Sequence, residues 1–571
     1  MTSEKIAVPI PRPARAVLFG LPPVGNRLPG AIRAALSLAV PATVATLLGF
    51  GPVSLLVGLG AFASIYGEGR PYRSRWKVVG AAAGTLTVLS WIGASVGEPI
   101  HRAIAGGASS LLLVVVVLVM AVVVSCCAFT VDALRLGAPG SFFFLLTTEI
   151  SSVIATPGLP PLHIALWTAV GGLSAVVVSS AGALRSPRSV EKASVAAASD
   201  AVENYLRALA GAEPPDSIRD ARAAATLRLH DAWQSLYRGS IVGGTHPCTQ
   251  HLELTQQRMA RARTHDPYLD GDPDAAYDVD GDGTHPPLKE PTVAYRFLRA
   301  CHPSSRATTT AVRLLIACVV AGTVTIVLGI DRPDWAVIAA AMVLHQGPDR
   351  ILGTYRGVHR IGGTVLGLVL LAAIYAWSPT GLWGVLVLAL LQLAIELFLV
   401  RNYGIAVIFI TPLAILLGAA GGAHGSMTHL MLSRLLETTV GVLVAVAVLW
   451  TVRRHSHRRA LIWSDERTRE ILQQLLSEIA ARQSDRERSV ARLSHLRRDL
   501  DWELRGGVST GIDAAHNEPD WAATRWSAHS ALHQLGSEVL DRLWFGYDVS
   551  QSRLDDWQGR LAEFDGPLNA R

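Results

Sequence analysis

The sequence predicts an all-α membrane protein built as two tandem six-helix transmembrane repeats, each followed by a cytoplasmic helical module. Three observations lead there. Long stretches carry no charge, the charged residues gather where those stretches end, and the pattern of the first half returns in the second.

Of 571 residues, 50% are hydrophobic and only 17% are charged, below the quarter or so usual in a soluble chain. Residues 34–67, 103–131, 150–184 and 361–395 hold no Asp, Glu, Lys or Arg. Each run exceeds the ~20 residues that cross a hydrocarbon core, so several must hold two spans and a turn. A soluble helix would keep a polar face, and these keep none.

The runs divide into twelve spans. The first six lie at about 31–49, 52–66, 77–96, 108–130, 139–155 and 162–184, and the second six at about 307–329, 334–347, 359–377, 381–400, 402–420 and 427–451. Domains follow as an N-terminal segment (1–30), a first transmembrane repeat (31–184), a first module (185–306), a second repeat (307–451) and a second module (452–571). Residues 266–287 read as a flexible acidic linker inside the first module. Leu229, Trp233 and Leu236 in one module, and Leu532, Leu535, Val539 and Leu543 in the other, sit at helical spacing and read as core stripes.

The formal charge of +6 does not point to nucleic acid, because the cations sit at span ends: Arg185 and Arg188, then Arg453, Arg454, Arg458 and Arg459. That is positive-inside patterning. It predicts cytoplasmic N- and C-termini in a bacterial plasma membrane, with the lipid bilayer as the main partner and homo-oligomerisation left open. The first thirty residues have no apolar signal segment, so insertion is expected to begin near Ile32. Five cysteines, with Cys126, Cys127 and Cys318 in apolar runs, offer neither a disulfide framework nor metal-ligand spacing. Asp278, Asp280, Asp282 and Gly283 open like a calcium loop, but Lys289 stands where a bidentate Glu is required. With no phosphate-binding loop, nucleophile elbow or zinc-binding His pair read from the chain, neither an enzyme nor a cofactor is expected.

Arg33, Thr43 and Gly49 return as Arg313, Thr323 and Gly329 at one offset, and Arg73, Lys77, Gly80 and Gly84 as Arg356, Arg360, Gly363 and Gly367 at an offset three residues longer. The unit is therefore about half the chain. Six spans per unit put both copies in the same orientation, about an axis along the membrane normal. Spans two and eight are short and edged by Gly or Pro, a pattern that marks transporter binding sites.

Arg356, Arg360, Gly363 and Gly367 lie on one helical face, and so do Arg73, Lys77, Gly80 and Gly84. The glycines admit a close neighbour. The cations stand at a helix N-terminus, where the macrodipole disfavours them, so something negative should face them. A substrate carboxylate is one candidate, and lipid headgroups are another. Ionisable residues inside spans add functional hypotheses. Glu149 has no cation near it in sequence and Glu396 lies near a span end, so both are proton-coupling candidates. Arg434 and Glu437, three apart, read as neutralising each other.

The stretch from Pro333-Asp334-Trp335 through Arg356-Gly357-Val358-His359-Arg360 to Gly363-Thr364 and Gly367 resembles the fusaric acid resistance family. These are inner-membrane proteins that include the aromatic acid exporters, with plant malate channels as distant relatives. Arg401-Asn402-Tyr403 followed by Thr411-Pro412 looks like a second family segment. The resemblance implies efflux of small organic anions, often aromatic carboxylates, driven by protons. It adds Trp335 and Tyr403 to Arg73, Lys77, Arg356 and Arg360 as substrate contacts. The first half departs from the pattern at Lys77 and has no counterpart of Asn402-Tyr403 before Glu149. Alternatives are a passive organic-anion channel and a membrane scaffold that transports nothing.

Overall fold

The computed structural model describes residues 8–10, 13–22, 27–137, 139–155, 159–242, 246–264, 266, 290–330, 332–419, 427–484, 490–543 and 549–565. Among these, regular structure is helical throughout. Apart from Asp266, the expected acidic linker lies outside the described residues, and so does the whole Asp278-Asp280-Asp282 motif.

A short α1 (Ala14–Phe19) precedes the first membrane block: α2 (Leu28–Leu47), α3 (Val57–Ala61), α4 (Tyr72–Ala105), α5 (Leu113–Ala133), α6 (Phe142–Ile154) and α7 (Pro161–Ala181). Three helices follow, α8 (Ser189–Ala210), α9 (Pro215–Gly239) and α10 (Pro247–Thr264), then a short α11 (Val293–Ala300). The second block is α12 (Arg306–Val327), α13 (Pro333–Leu344), α14 (Arg350–Trp377), α15 (Leu382–Phe398), α16 (Tyr403–Ala419) and α17 (Met427–Thr451). The chain closes with α18 (Ser456–Ser484), α19 (Val490–Asn517), α20 (Pro519–Arg542) and α21 (Gln551–Ala562).

Seven of these helices are long and apolar enough to cross a membrane alone, and five apolar segments are shorter. Four of the short ones form the interior. α6 and α13 have 13 and 12 residues, and all but Val153 of these are buried. α3, extended on both sides by 3-10 turns, is wholly buried, and α16 is largely so. A helix wrapped in protein need not match the lipid thickness, which removes the length requirement on a lipid-facing span. Spans two and eight are the ones expected to be short; α6, the fifth segment, is within one residue of α13 in length. Lipid-sized apolar side chains such as Val88, Trp91, Val122, Leu173 and Val369 are exposed on the long helices around them.

The blocks interlock. The first helix of each packs on the fourth of the other, α2 on α15 and α12 on α5. In each block the third helix also crosses the fifth, α4 on α6 and α14 on α16. Both crossings are glycine contacts. A Cβ on Gly93 or Gly97 would sit 2.2 or 1.9 Å from the carbonyls of Thr148 or Ser152, and one on Gly363 or Gly367 would sit 2.6 or 2.9 Å from those of Gly404 or Ile408. Only a residue without a side chain admits such an approach.

The polar helices form two separate cores. Leu229, Trp233 and Leu236 are buried with Tyr205 and Leu252 in the first, and Leu532, Leu535, Val539 and Leu543 with Leu475, Leu500 and Trp557 in the second. The modules touch through Arg263 and Asp541 at 2.6 Å. The second also docks on the membrane blocks: Arg135 donates to the Trp502 carbonyl at 2.8 Å, and Arg350 to that of Asn517 at 2.9 Å.

Candidate anion path

α14 begins at Asp349, whose carboxylate accepts from the Leu352 N–H at 3.0 Å and pairs with His516 at 3.2 Å. That cap answers the helix dipole. It leaves the next two turns of cations unanswered. Arg350, Gly353, Arg356, Gly357, Arg360, Gly363, Thr364 and Gly367 make one continuous buried face. Gly353 and Gly357 admit Leu449 and Val442 of α17, while Gly363 and Gly367 admit α16. Arg356 and Arg360 are thus held between two helices instead of facing lipid.

These guanidinium groups lack most of their hydrogen bonds. Arg360 is fully buried, and none of its three nitrogens makes a hydrogen bond. Arg356 donates only from Nη1, to Gln346 Oε1 at 3.3 Å. Tyr403, at the start of α16, brings its hydroxyl close enough to Arg360 for an electrostatic interaction, without completing a hydrogen bond of full geometry. Further along, Arg434 of α17 lies 3.3 Å over the ring of Trp335, with Nε and Nη1 unbonded. A buried cation without a partner costs several kcal/mol; the donors of Arg356 and Arg360 are left most open, whereas Arg434 also lies within electrostatic reach of Glu149, Glu437 and Asp334.

At the end away from the modules the charges are paired. Arg332 forks onto Asp334 at 2.8 and 3.1 Å and reaches Glu149 of α6 at 3.2 Å, and its own N–H donates to Glu437 Oε1 at 3.0 Å. This network joins the two blocks across the buried ends of α6 and α13. At the other end lies a cavity of about 930 Å³, bounded by both modules and by the ends of α5 and α12. Eight arginines and four carboxylates line it, along with Trp463 and Trp502. His345 and Gln346 form its membrane-side wall, and Gln346 is the partner of Arg356. Cavity, Arg356, Arg360 with Tyr403, Arg434 with Trp335, and the Arg332 network therefore follow one another across the membrane block.

Residues 316–448, which hold every member of this series except Glu149 and the cavity wall, match the model of the fusaric acid resistance protein-like family. The chain carries a fusaric acid resistance-like membrane domain. Over 134 residues it is 31% identical to the "Uncharacterized membrane protein YvaC" of Bacillus subtilis. That stretch is 23% of this chain and covers 21%, about a fifth, of that protein's length. No solved structure matches.

Within the fusaric acid resistance-like domain, the structure brings Trp335, Arg356, Arg360 and Tyr403 into one buried series. It does not bring Arg73, Lys77, Gly80 and Gly84 there. Arg73 and Lys77 are exposed, and a Cβ on Gly80 or Gly84 would meet nothing within 4 Å. The first-block stripe lies on the outer surface, because α4 turns its Ser90-Gly93-Gly97 side to α6 and α7. Two further expectations change. Glu149 has a cation after all, in Arg332. Arg434 stacks on Trp335 and stays within electrostatic reach of Glu437, whose Oε1 also accepts from the Arg332 N–H, so the pair is part of a larger network. Glu396 is buried on α15, where its charged neighbours are Glu68, Arg27 and Arg33 of the first block.

Sequence reading missed Arg332, the role of Arg434, and the cavity. Arg332 and Asp334 flank the Pro333 that starts α13, and such a charged pair at a buried helix start was a readable signal. The cavity had none, since its wall comes from both modules and both blocks.

Proposed function

We propose that the protein is a transporter that exports small organic anions, aromatic carboxylates among them, with protons as the coupling ion. One observation carries the reading: Arg356, Arg360 and Arg434 are buried with unsatisfied nitrogens beside Tyr403 and Trp335. A carboxylate would complete the guanidinium hydrogen bonds, each charge-assisted bond contributing about 1.5–3 kcal/mol. An aromatic ring on the same ligand would find Trp335 and Tyr403 next to the cations. The arginine-rich cavity gathers the anion on the modules' side, which positive-inside patterning makes the cytoplasm.

Glu149 is the proton carrier in this reading. A proton on its carboxylate would weaken one of the contacts that hold Arg332 at the far end of the path, the fork onto Asp334 remaining. Glu396, beside Arg33 and Glu68, stands apart from the guanidinium series and is not assigned this role.

The decisive experiment is uptake of an aromatic carboxylate such as benzoate into proteoliposomes with an imposed pH gradient. Arg360→Gln should lower transport by an order of magnitude or more, from the loss of one or two charge-assisted bonds. Unchanged flux in that variant would end the assignment. Flux that follows the anion gradient regardless of pH would replace the transporter with a channel that uses the same cations.

A further inference from the structure

Away from the anion path, the second module holds an Asp-His-His cluster that no part of the transport reading uses. Asp465 of α18 and His529 and His533 of α20 each offer one ligand atom, and the three atoms lie within 4.8 Å of one another. His529 Nδ1 is 2.7 Å and His533 Nε2 is 3.9 Å from Asp465 Oδ1. The two histidines are one helical turn apart, which puts both rings on the same face of α20. The rings lie 4.2 Å apart between centroids.

Two features separate this cluster from an ordinary buried hydrogen bond. Asp465 and His529 could satisfy each other alone, yet His533 Nε2 is buried with no hydrogen bond. A bare polar atom of that kind costs about 1–3 kcal/mol. The third helix of the module also makes room for both rings. On α19, a Cβ at Gly507 would fall 2.2 Å from His533 Cε1, and one at Gly511 would fall 2.7 Å from His529 Nε2. Two glycines one turn apart thus match two imidazoles one turn apart.

We infer that the second module binds one divalent transition-metal ion of the zinc type through Asp465, His529 and His533. Two imidazoles and a carboxylate are a borderline donor set suited to zinc. At bond lengths of about 2.0–2.1 Å, tetrahedral ligands stand roughly 3.3 Å apart. The 2.7 and 3.9 Å separations bracket that value and the third is at most 4.8 Å, so side-chain rotations complete the geometry, and a water takes the fourth position. The ion ties α18 to α20 directly behind the cavity wall, since Trp463 and Ser464 line the cavity two residues and one residue before Asp465.

The test uses the full chain, untagged, in detergent. The protein is incubated with Zn²⁺, freed of excess, and assayed for bound metal. About one zinc per chain should remain on the wild type and close to none on His533→Gln or Asp465→Asn. Loading with Co²⁺ should give the visible bands of a tetrahedral nitrogen–oxygen site, and this reading needs no variant. Retention of no zinc by the wild type, equal retention by the variants, or a purely octahedral Co²⁺ spectrum would each overturn the assignment. None of these readouts depends on transport.

Discussion

α4 and α14 carry the same pattern at the same spacing, a cation pair followed by a glycine pair, and the two faces meet opposite surroundings. On α14 that face is buried against α16 and α17, and on α4 it is open. α4 does carry one buried cation, Arg75, which lies off the repeated stripe. Its Nε donates to the Arg70 carbonyl at 3.0 Å, its Nη1 to that of Ser179 at 3.3 Å, and its guanidinium covers Tyr72 at 4.4 Å. Arg75 is partnered by backbone and aromatic ring, whereas Arg360 has no hydrogen bond. On the proposed reading, what separates a structural from a ligand-seeking arginine is neither its position in the repeat nor burial alone, but whether the fold has satisfied its donors.

The largest expected effect tests that distinction directly. Arg356→Gln with Arg360→Gln should abolish anion flux, while Arg73→Gln with Lys77→Gln should leave it within about twofold of wild type, since exposed charges contribute little. Both variants should reach the membrane in similar amounts, read by quantitative immunoblotting of membrane fractions. Equal losses in the two would show that the outer stripe also serves the anion, through contacts a single chain does not make. Arg75→Gln sharpens the same contrast. It should lower unfolding stability in detergent by about 1–3 kcal/mol through its orphaned carbonyls and lost packing, with the affinity for the carboxylate unchanged. A rise in the apparent KM of Arg75→Gln would place that residue in the path after all.

The glycines give a smaller split. Gly363→Ala puts a methyl group 2.6 Å from the Gly404 carbonyl, and overpacking of this kind costs about 1–3 kcal/mol. Gly84→Ala meets open space and adds helix propensity, so it should be neutral or stabilising by up to about 1 kcal/mol. Melting temperatures of the two purified variants should move in opposite directions.

Much of the architecture was readable because its cause is local. A charge-free run needs lipid or protein around it wherever it sits, and an apolar stripe such as Leu532, Leu535, Val539 and Leu543 needs a core. The inward face of a span is a different kind of fact. α4 offers two stripes, Arg73-Lys77-Gly80-Gly84 and Ser90-Gly93-Gly97, and periodicity cannot choose between them. The hydrogen bonds of Ser90 to Ser151 at 2.8 Å and from Thr168 at 3.0 Å show which won. The Arg332–Glu149 pair spans 183 positions, and nothing in the neighbourhood of either residue points to the other. His529 and His533, by contrast, stand in the open at four-residue spacing. No zinc-binding His pair is read from the sequence, because the carboxylate partner of these two lies 64 positions away.

The two halves also differ beyond the membrane, and this gives the smallest effect. In the first module, burial pushes His230 down to about 4 despite Asp501 at 3.8 Å, with Arg505 and Arg238 adding to the fall. Its folded state disfavours the proton, so its contribution to stability is lost as pH falls from about 6.5 towards 4. In the second module, burial raises Asp513 to about 6, helped by Asp349 and Asp132 and opposed by Arg306 at 2.7 Å. That carboxyl gains its proton more readily in the folded state, so its contribution to stability grows as pH falls from about 6 towards 4. The two contributions oppose each other, each on the order of 1 kcal/mol between pH 7 and 5. Denaturant unfolding of the whole protein at these two pH values should show His230→Gln losing less stability on acidification than wild type, and Asp513→Asn losing more. If both variants keep the wild-type slope, the two modules share one acid response and the asymmetry between the halves stops at the membrane.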